Sequence, residues 1–300
     1  MADAASAGPS QYIRQRNTSE AGGTSRDLSY PPLPEPLTVP VYDNHTHLEI
    51  ADGSLPLDYL EHLDRASSVG VRGVVQVGGD LETSRWSAEV AANEPRMLAA
   101  VAIHPNEAPR LPDLDTALAE IEALARSHDR VRAVGETGLD AYRTGEDGRA
   151  VQEECFRRHV DLARRLGKTL VIHDRDAHDD VLRVIDEEGA PERWVMHCFS
   201  GDAAFARACL DRGAHLSFAG TVTFKNAEPV REAARIAPID RVLVETDAPY
   251  LTPMPHRGRT NASYLVPLTV RTLADLRRED LATLCAAIDT NTDVAFGGPW

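Results

Sequence analysis

The chain has 300 residues and carries 32 basic against 47 acidic side chains, a formal charge of −15. That length allows one large α/β domain or two small ones. The charge excludes a tight, static binder of duplex nucleic acid unless a local basic patch or bound cations supply the counter-charge, but not an enzyme that handles a few nucleotides at a time.

Residues 1–37 are rich in Ala, Ser, Gly, Pro and charge, and end in Pro31-Pro32-Leu33-Pro34-Glu35-Pro36. No apolar period there would bury a face, so the segment is expected to be a disordered or wrapping extension. It has no continuous apolar stretch of the signal-peptide kind, and Arg14-Gln15-Arg16 is not a twin-arginine signal. No run approaches the ~18 apolar residues of a membrane span. Cys155, Cys198, Cys209 and Cys285 form no Cys-x-x-Cys pair and read as reduced thiols. The expectation is a cytoplasmic monomer with no membrane association and no obligate protein partner.

From Thr38 onward, short β-branched runs alternate with helical patterns, giving one domain over 38–300. The predicted strands are Thr38–Tyr42, Val71–Val77, Met97–Ile103, Arg132–Gly135, Thr169–Ile172, Trp194–Met196, His215–Phe218 and Arg241–Val244. Leu114, Leu118, Ile121 and Ala125 fall on one helical stripe. Val151, Cys155, Leu162 and Leu166 fall on another, with Gly167 at its C-terminal stop. Leu265–Leu276 and Asp280–Ile288 read as two closing helices. Eight strands, each followed by a helix or helical loop, predict a single (β/α)8 TIM-like barrel. No Gly-x-Gly-x-x-Gly turn supports the rival, a doubly wound nucleotide-binding sheet.

In such a barrel the active site gathers at the C-terminal ends of the strands. Strand one ends in His45 and His47, whose i, i+2 spacing aims both rings to one face. Strand four leads to Glu136, strand five to His173, strand six to His197 and strand eight to Glu245 and Asp247. Four imidazoles and several carboxylates at one rim need a counter-ion, because each charge loses hydration there. Nitrogen and oxygen donors without thiolate suit one or two divalent ions: Mg, Mn or Zn. Glu136 is read as a bridge, with His45, His47 and Asp247 favouring one ion and His173 and His197 the other. Asp247 could hold a water and take its proton, so metal-assisted hydrolysis is the predicted class, with Asp247 and Glu136 as catalytic residues. Glu245 is expected to support a histidine ring by a hydrogen bond. Arg175 and Arg257 carry forks suited to a phosphate. His104 is left between supporting a ligand and touching substrate. His62, His128, His159 and His178 are read as non-ligands, and Cys198 as packing.

These motifs resemble the TatD-type metal-dependent deoxyribonucleases of the amidohydrolase-like superfamily. The resemblance runs from Tyr42 to Phe296. It rests on Asp43-Asn44-His45-Thr46-His47-Leu48, Gly135-Glu136-Thr137-Gly138-Leu139-Asp140, Ile172-His173-Asp174-Arg175-Asp176-Ala177, His197-Cys198-Phe199-Ser200-Gly201, Glu245-Thr246-Asp247-Ala248-Pro249-Tyr250-Leu251 and Arg257-Gly258-Arg259-Thr260-Asn261. It implies metal binding by His45, His47, Glu136, His173, His197 and Asp247. It also implies hydrolysis of DNA phosphodiesters, from 3′ ends or on single strands. The chain departs from the family pattern at His104-Pro105-Asn106, at Ala141-Tyr142-Arg143 and at Asn261-Ala262-Ser263, none of which removes a metal ligand. Two alternatives stay open: an amidohydrolase cleaving a cyclic amide, lactone or ester, and a non-enzymatic metal-binding scaffold. Many amidohydrolases bridge their metals with a modified lysine, where this chain offers Glu136.

Overall fold

The structure, a computed structural model, describes residues 13–16 and 26–300. Eight strands form one parallel sheet in sequence order. They are β1 (Val41–Thr46), β2 (Val71–Gly78), β3 (Met97–Val101), β4 (Val131–Asp140), β5 (Thr169–Arg175), β6 (Trp194–Met196), β7 (His215–Phe218) and β8 (Val242–Val244). β8 returns to β1 through a Thr46–Ala248 bridge, the Asp247 N–H on the His45 carbonyl at 2.9 Å, and the Asn44 amide on the Val244 carbonyl at 2.9 Å. The sheet is therefore a nearly closed (β/α)8 barrel. Between strands run α1 (Tyr59–Ser68), α2 (Leu81–Asn93), α3 (Leu114–Ser127), α4 (Glu146–Leu166), α5 (His178–Glu188), α6 (Ala203–Asp211) and α7 (Glu228–Ile236), and α8 (Val266–Arg277) and α9 (Leu281–Ala295) close the chain.

Alternation along the strands divides the core in two. Val75, Val77, Leu98, Ala100, Ala133, Val171, Val195 and Leu243 fill the ring. Val74, Met97, Val131, Val134, Leu170, Trp194 and Val242 pack outward with the helices. The C-terminal residues seal the mouth at the strands' N-terminal ends. Phe296 joins the inner core, Trp300 stacks on Tyr42 with ring centroids 4.1 Å apart, and the Thr169 hydroxyl donates to the Ala295 carbonyl at 2.5 Å. Only the opposite mouth is left for chemistry.

β6 and β7 coincide with the expected strands, and the other six differ at one or both ends, β1 and β4 in ways that shape the site. β1 begins at Val41 rather than Thr38, because Pro40 has no N–H to give a ladder. β4 runs on to Asp140, well past Gly135. Its register against β5 steps from Val134↔Leu170 to Thr137↔Ile172, so three residues of β4 span two of β5. A bulge of this kind re-aims a side chain, here Glu136. Gly135 permits it, since a Cβ at that position would lie 2.5 Å from the Val171 Cβ. A similar step separates Asp43 from Thr46 on β1, around His45. In α4, Cys155 and Leu162 are buried as expected and Gly167 (φ 61°) closes the helix, but Val151 is 38% exposed and lies off the buried stripe.

Arg14–Gln15 pairs in parallel with Ile50–Ala51, and the Tyr264 hydroxyl donates to the Pro31 carbonyl at 2.5 Å. The described parts of the N-terminal segment thus lie along the barrel, and the rest of that predicted extension falls outside the described residues.

His159 of α4 is fully buried, with Nδ1 2.8 Å from the Cys155 carbonyl and Nε2 accepting from the Ile103 N–H at 3.2 Å. Burial pulls its pKa down to about 4. The fold therefore binds fewer protons than the unfolded chain. The contribution is complete above pH ~6.5 and is lost as pH falls toward 4. Urea unfolding of His159→Gln is expected to show a pH 7 to pH 5 loss smaller than that of the parent by about 2 kcal/mol.

Candidate metal centre

Glu136, placed by the β4 bulge, stands at the centre of the open mouth and is 4% exposed. Its two oxygens face two sets of donors. Oε2 lies 3.5 Å from His45 Nε2 and 3.9 Å from His47 Nε2. Those two nitrogens are 3.3 Å apart, and Asp247 Oδ1 is 3.5 Å from the His47 nitrogen and 3.9 Å from the His45 nitrogen. Oε1 lies 2.6 Å from His173 Nδ1, 3.4 Å from His197 Nε2 and 3.5 Å from His104 Nε2. All six predicted ligands therefore meet in one place, but not in two separate sets. His197 also groups with Asp247 and Cys198 and, with its ring stacked 3.6 Å from that of His45, with His45 and Glu245, while His104 groups with Glu136 and His173.

The atoms behind the donors fix their orientation. His47 Nδ1 sits 2.9 Å from the Val77 carbonyl, which keeps a proton there and leaves Nε2 facing the cluster. Glu245, fully buried, places Oε1 2.8 Å from His197 Nδ1 as an ion-pair contact and accepts the Cys198 N–H at 3.1 Å. The sequence did not single out Asp140, which faces His173 Nε2 at 3.3 Å. Asn106, one of the departures from the family pattern, donates to the same Asp140 oxygen at 2.9 Å and accepts from Thr144 at 2.9 Å. The signal for Asp140 was its place at the end of a strand already known to carry Glu136.

The charges are strongly coupled. Burial pushes the Glu136 carboxyl up, but the imidazoles of His104, His197 and His173 outweigh it and hold it well below the ordinary range. Asp247 is likewise lowered, its burial overcome by His47, His197 and His45. In return, against their own burial, Asp140 and Glu136 lift His173 to about 9, and Glu245 and Glu136 lift His197 well above its usual value. His45 and His104 are lowered, mainly by burial. Protons on buried imidazoles thus supply the positive charge that anionic Glu136 and Asp247 demand. A divalent ion displacing those protons would meet the same demand with more ligands per charge. Imidazole and carboxylate donors at these separations fit such an ion on either side of Glu136.

The cluster opens into a cleft of about 820 Å³ lined by Arg14, Asn106, Arg110, Arg143, Arg175 and Tyr250, among others. Arg175 lines this cleft, its guanidinium 3.9 Å from the centre of the Tyr142 ring. Arg257 does not line it and is exposed over the Phe224 ring at 4.2 Å. His104 proves closer than expected, in direct reach of Glu136. His178 is held by Asp174 at 2.5 Å and stacked on Phe205, away from the ligand groups. Cys198 lines the cleft rather than only packing.

A sequence profile described as TatD related DNase matches residues 42–297. A Mycobacterium tuberculosis protein named as an uncharacterized metal-dependent hydrolase, TatD, is 49% identical over 266 residues, 86% of this chain and 98% of its own. A Bacillus subtilis protein, the uncharacterized metal-dependent hydrolase YabD, is 37% identical, covering 81% of this chain and 95% of its own. The crystal structure of YJJV, a TatD homolog from Escherichia coli, superposes with a TM-score of 0.79 at 26% identity, over 86% of this chain and 98% of that one.

Proposed function

The chain belongs to the TatD family of metal-dependent hydrolases, and from that footing we propose that it is a cytoplasmic deoxyribonuclease that hydrolyses phosphodiester bonds at 3′ ends or on single strands. The observation that carries the reading is one buried carboxylate common to five imidazoles: His45 and His47 face Glu136 Oε2, His173, His197 and His104 face Oε1, and Asp247 stands against His45 and His47. One or two divalent ions held there would supply Lewis acidity to a phosphoryl group and an acidified water. Asp247, kept anionic by its histidine neighbours, accepts the proton of the attacking water. Glu136 holds the two donor groups in register. Glu245 and Asp140 keep His197 and His173 from turning. His104 adds a further imidazole beside Glu136, and Arg175 meets a phosphate oxygen of the substrate with its fork. Arg257, away from the cleft, is left without a substrate role. Among the described residues no helix is long and apolar enough to cross a membrane.

The test is incubation of purified protein with end-labelled single- and double-stranded oligonucleotides and magnesium, manganese or zinc, with and without EDTA. Progressive shortening from the 3′ end, abolished by chelator and restored by added ion, is expected. Cleavage that persists in EDTA, or turnover of an amide or lactone panel with none of the oligonucleotides, overturns the reading. Glu245→Gln is expected to lower metal affinity or activity by roughly 10- to 100-fold, as when the group orienting a ligand histidine is lost. Metal titration followed by rate separates the two effects, and a loss below twofold in both refutes the role.

A further inference from the structure

The segment carrying Arg14 precedes the matched region, which begins at residue 42, yet it reaches the mouth of the barrel. Its backbone is pinned: the Ile13 N–H on the Glu49 carbonyl at 3.0 Å, the Arg16 N–H on the Ala51 carbonyl at 2.9 Å, and parallel pairing between. Arg16 fastens it to the loop after β8, donating to the Pro249 carbonyl at 2.7 Å with its guanidinium 4.6 Å from the centre of the Tyr250 ring. Arg26 locks the adjoining chain to Asp52 through two bonds of 3.1 and 2.8 Å.

Arg14 differs from both neighbours. It lines the cleft together with His47, Glu136 and Asp247, and 42% of its side chain is exposed. Its carboxylate contacts among the described residues are long, 3.3 Å to Glu49 and 3.6 Å to Asp80. Charge-assisted bonds of full strength run at about 2.7–2.9 Å. Each carboxylate also serves another donor, through its other oxygen. Glu49 accepts from the Gln76 amide at 2.7 Å, and Asp80 caps α2 by accepting from the Thr83 N–H at 2.8 Å. A five-donor fork held at a cleft mouth by loose contacts is ready for a better acceptor. Glu49 Oε1, its nearer partner, lies 3.8 Å from His47 Nδ1, the ring nitrogen turned away from the ligand cluster. Arg14 thus approaches His47 through Glu49, on the side of the ring away from the ligand atoms, while still lining the cleft.

We propose that Arg14 is a substrate-binding residue that takes a phosphate next to the scissile one, so that the N-terminal segment adds a subsite to the barrel's own cleft. The proposal rests on the phosphodiester reading above. It also answers the charge problem of a chain at −15, which must recruit a polyanion through local cations.

The experiment compares wild type, Arg14→Ala and Arg14→Lys. Binding of a fluorescent single-stranded oligonucleotide is followed by anisotropy in EDTA, and turnover of the same oligonucleotide and of bis(p-nitrophenyl) phosphate, which has no second phosphate, is followed with metal. Arg14→Ala is expected to weaken oligonucleotide binding about tenfold, with Arg14→Lys between. The slope of log Kd against log salt should fall by about 0.7, the signature of one lost single-strand phosphate contact. The factor lost in kcat/KM should be larger for the oligonucleotide than for the small diester. Equal factors on the two substrates, or an unchanged salt slope, overturn the subsite and leave the hydrolytic reading standing. A wild-type protein that hydrolyses neither diester overturns the reading itself.

Discussion

Glu136→Gln is expected to lower kcat on any oligonucleotide substrate by roughly 10³-fold, about 4 kcal/mol of transition-state stabilisation. The substitution keeps the shape of the side chain, so the change is one of charge. Glu136 is the one carboxylate shared by both donor groups, with five imidazole nitrogens between 2.6 and 3.9 Å of its oxygens. An amide there turns N–H donors toward some of those nitrogens and removes the anion that a cation on either side would share. Metal content per chain should drop along with activity, while the far-UV circular dichroism spectrum stays that of the parent. In the metal-free protein the carboxylate also holds protons on His173 and His197, so loss of its charge should bring both imidazoles down toward ordinary values. Histidine ring resonances followed by NMR against pH would register that. A Glu136→Gln protein with full metal content and more than a tenth of the parental rate would remove this residue from the centre of the site.

Much of this centre is legible in the chain itself, and the reason is geometric. A parallel barrel turns chain order into a ring, so a histidine or acid at the end of each apolar run is delivered to the same mouth whatever the loop lengths. His45, His47, His173, His197 and Asp247 were legible for that reason. Local departures from strand periodicity were not. Counting alternation through Val134-Gly135-Glu136-Thr137 gives no sign of the bulge that turns Glu136 inward, because a glycine in a strand can mark a bulge, a bend or a close approach equally well. The same bulge lets β4 continue to Asp140, and so hid the Asp140–His173 contact. His104 was ambiguous because its approach to Glu136 depends on how the loop after β3 folds, with the His104 N–H on the Gly79 carbonyl at 2.7 Å. Arg257 was read as a phosphate fork from its residue type alone, which carries no information on where its loop lies, and its guanidinium rests over Phe224. Arg14 was invisible for a different reason: a segment with no apolar period gives no hint that two backbone pairings will carry it to the cleft.

Asp247→Asn separates the chemistry from the scaffold. Asp247 follows β8 with φ 54°, a left-handed conformation that asparagine adopts as readily as aspartate, so the backbone should be kept. Its N–H to the His45 carbonyl and its own carbonyl to the Tyr250 N–H, at 2.9 and 2.8 Å, do not involve the side chain and survive. The variant loses an anionic ligand facing His47 and His45, and with it the group placed to take a proton from water. Loss of one positioned general base costs about 10²–10⁴-fold, and loss of a ligand adds to that, so kcat should fall by about 10³-fold or more. Unlike Glu136→Gln, this change leaves the donors around Glu136 Oε1 intact, and at least one ion should remain bound. The pH dependence supplies the second readout. The carboxyl is held below its ordinary value, so protonation of Asp247 should contribute to the loss of rate only in acid, on top of proton competition for the metal at the ligand imidazoles. In Asp247→Asn the acidic limb of the residual rate, measured at saturating metal, should become shallower by one proton, leaving the part that comes from proton competition at the ligand imidazoles. An acidic limb of unchanged steepness, together with a bound ion, would assign proton transfer to another group, of which Asp140, anionic beside His173, is the nearest in kind.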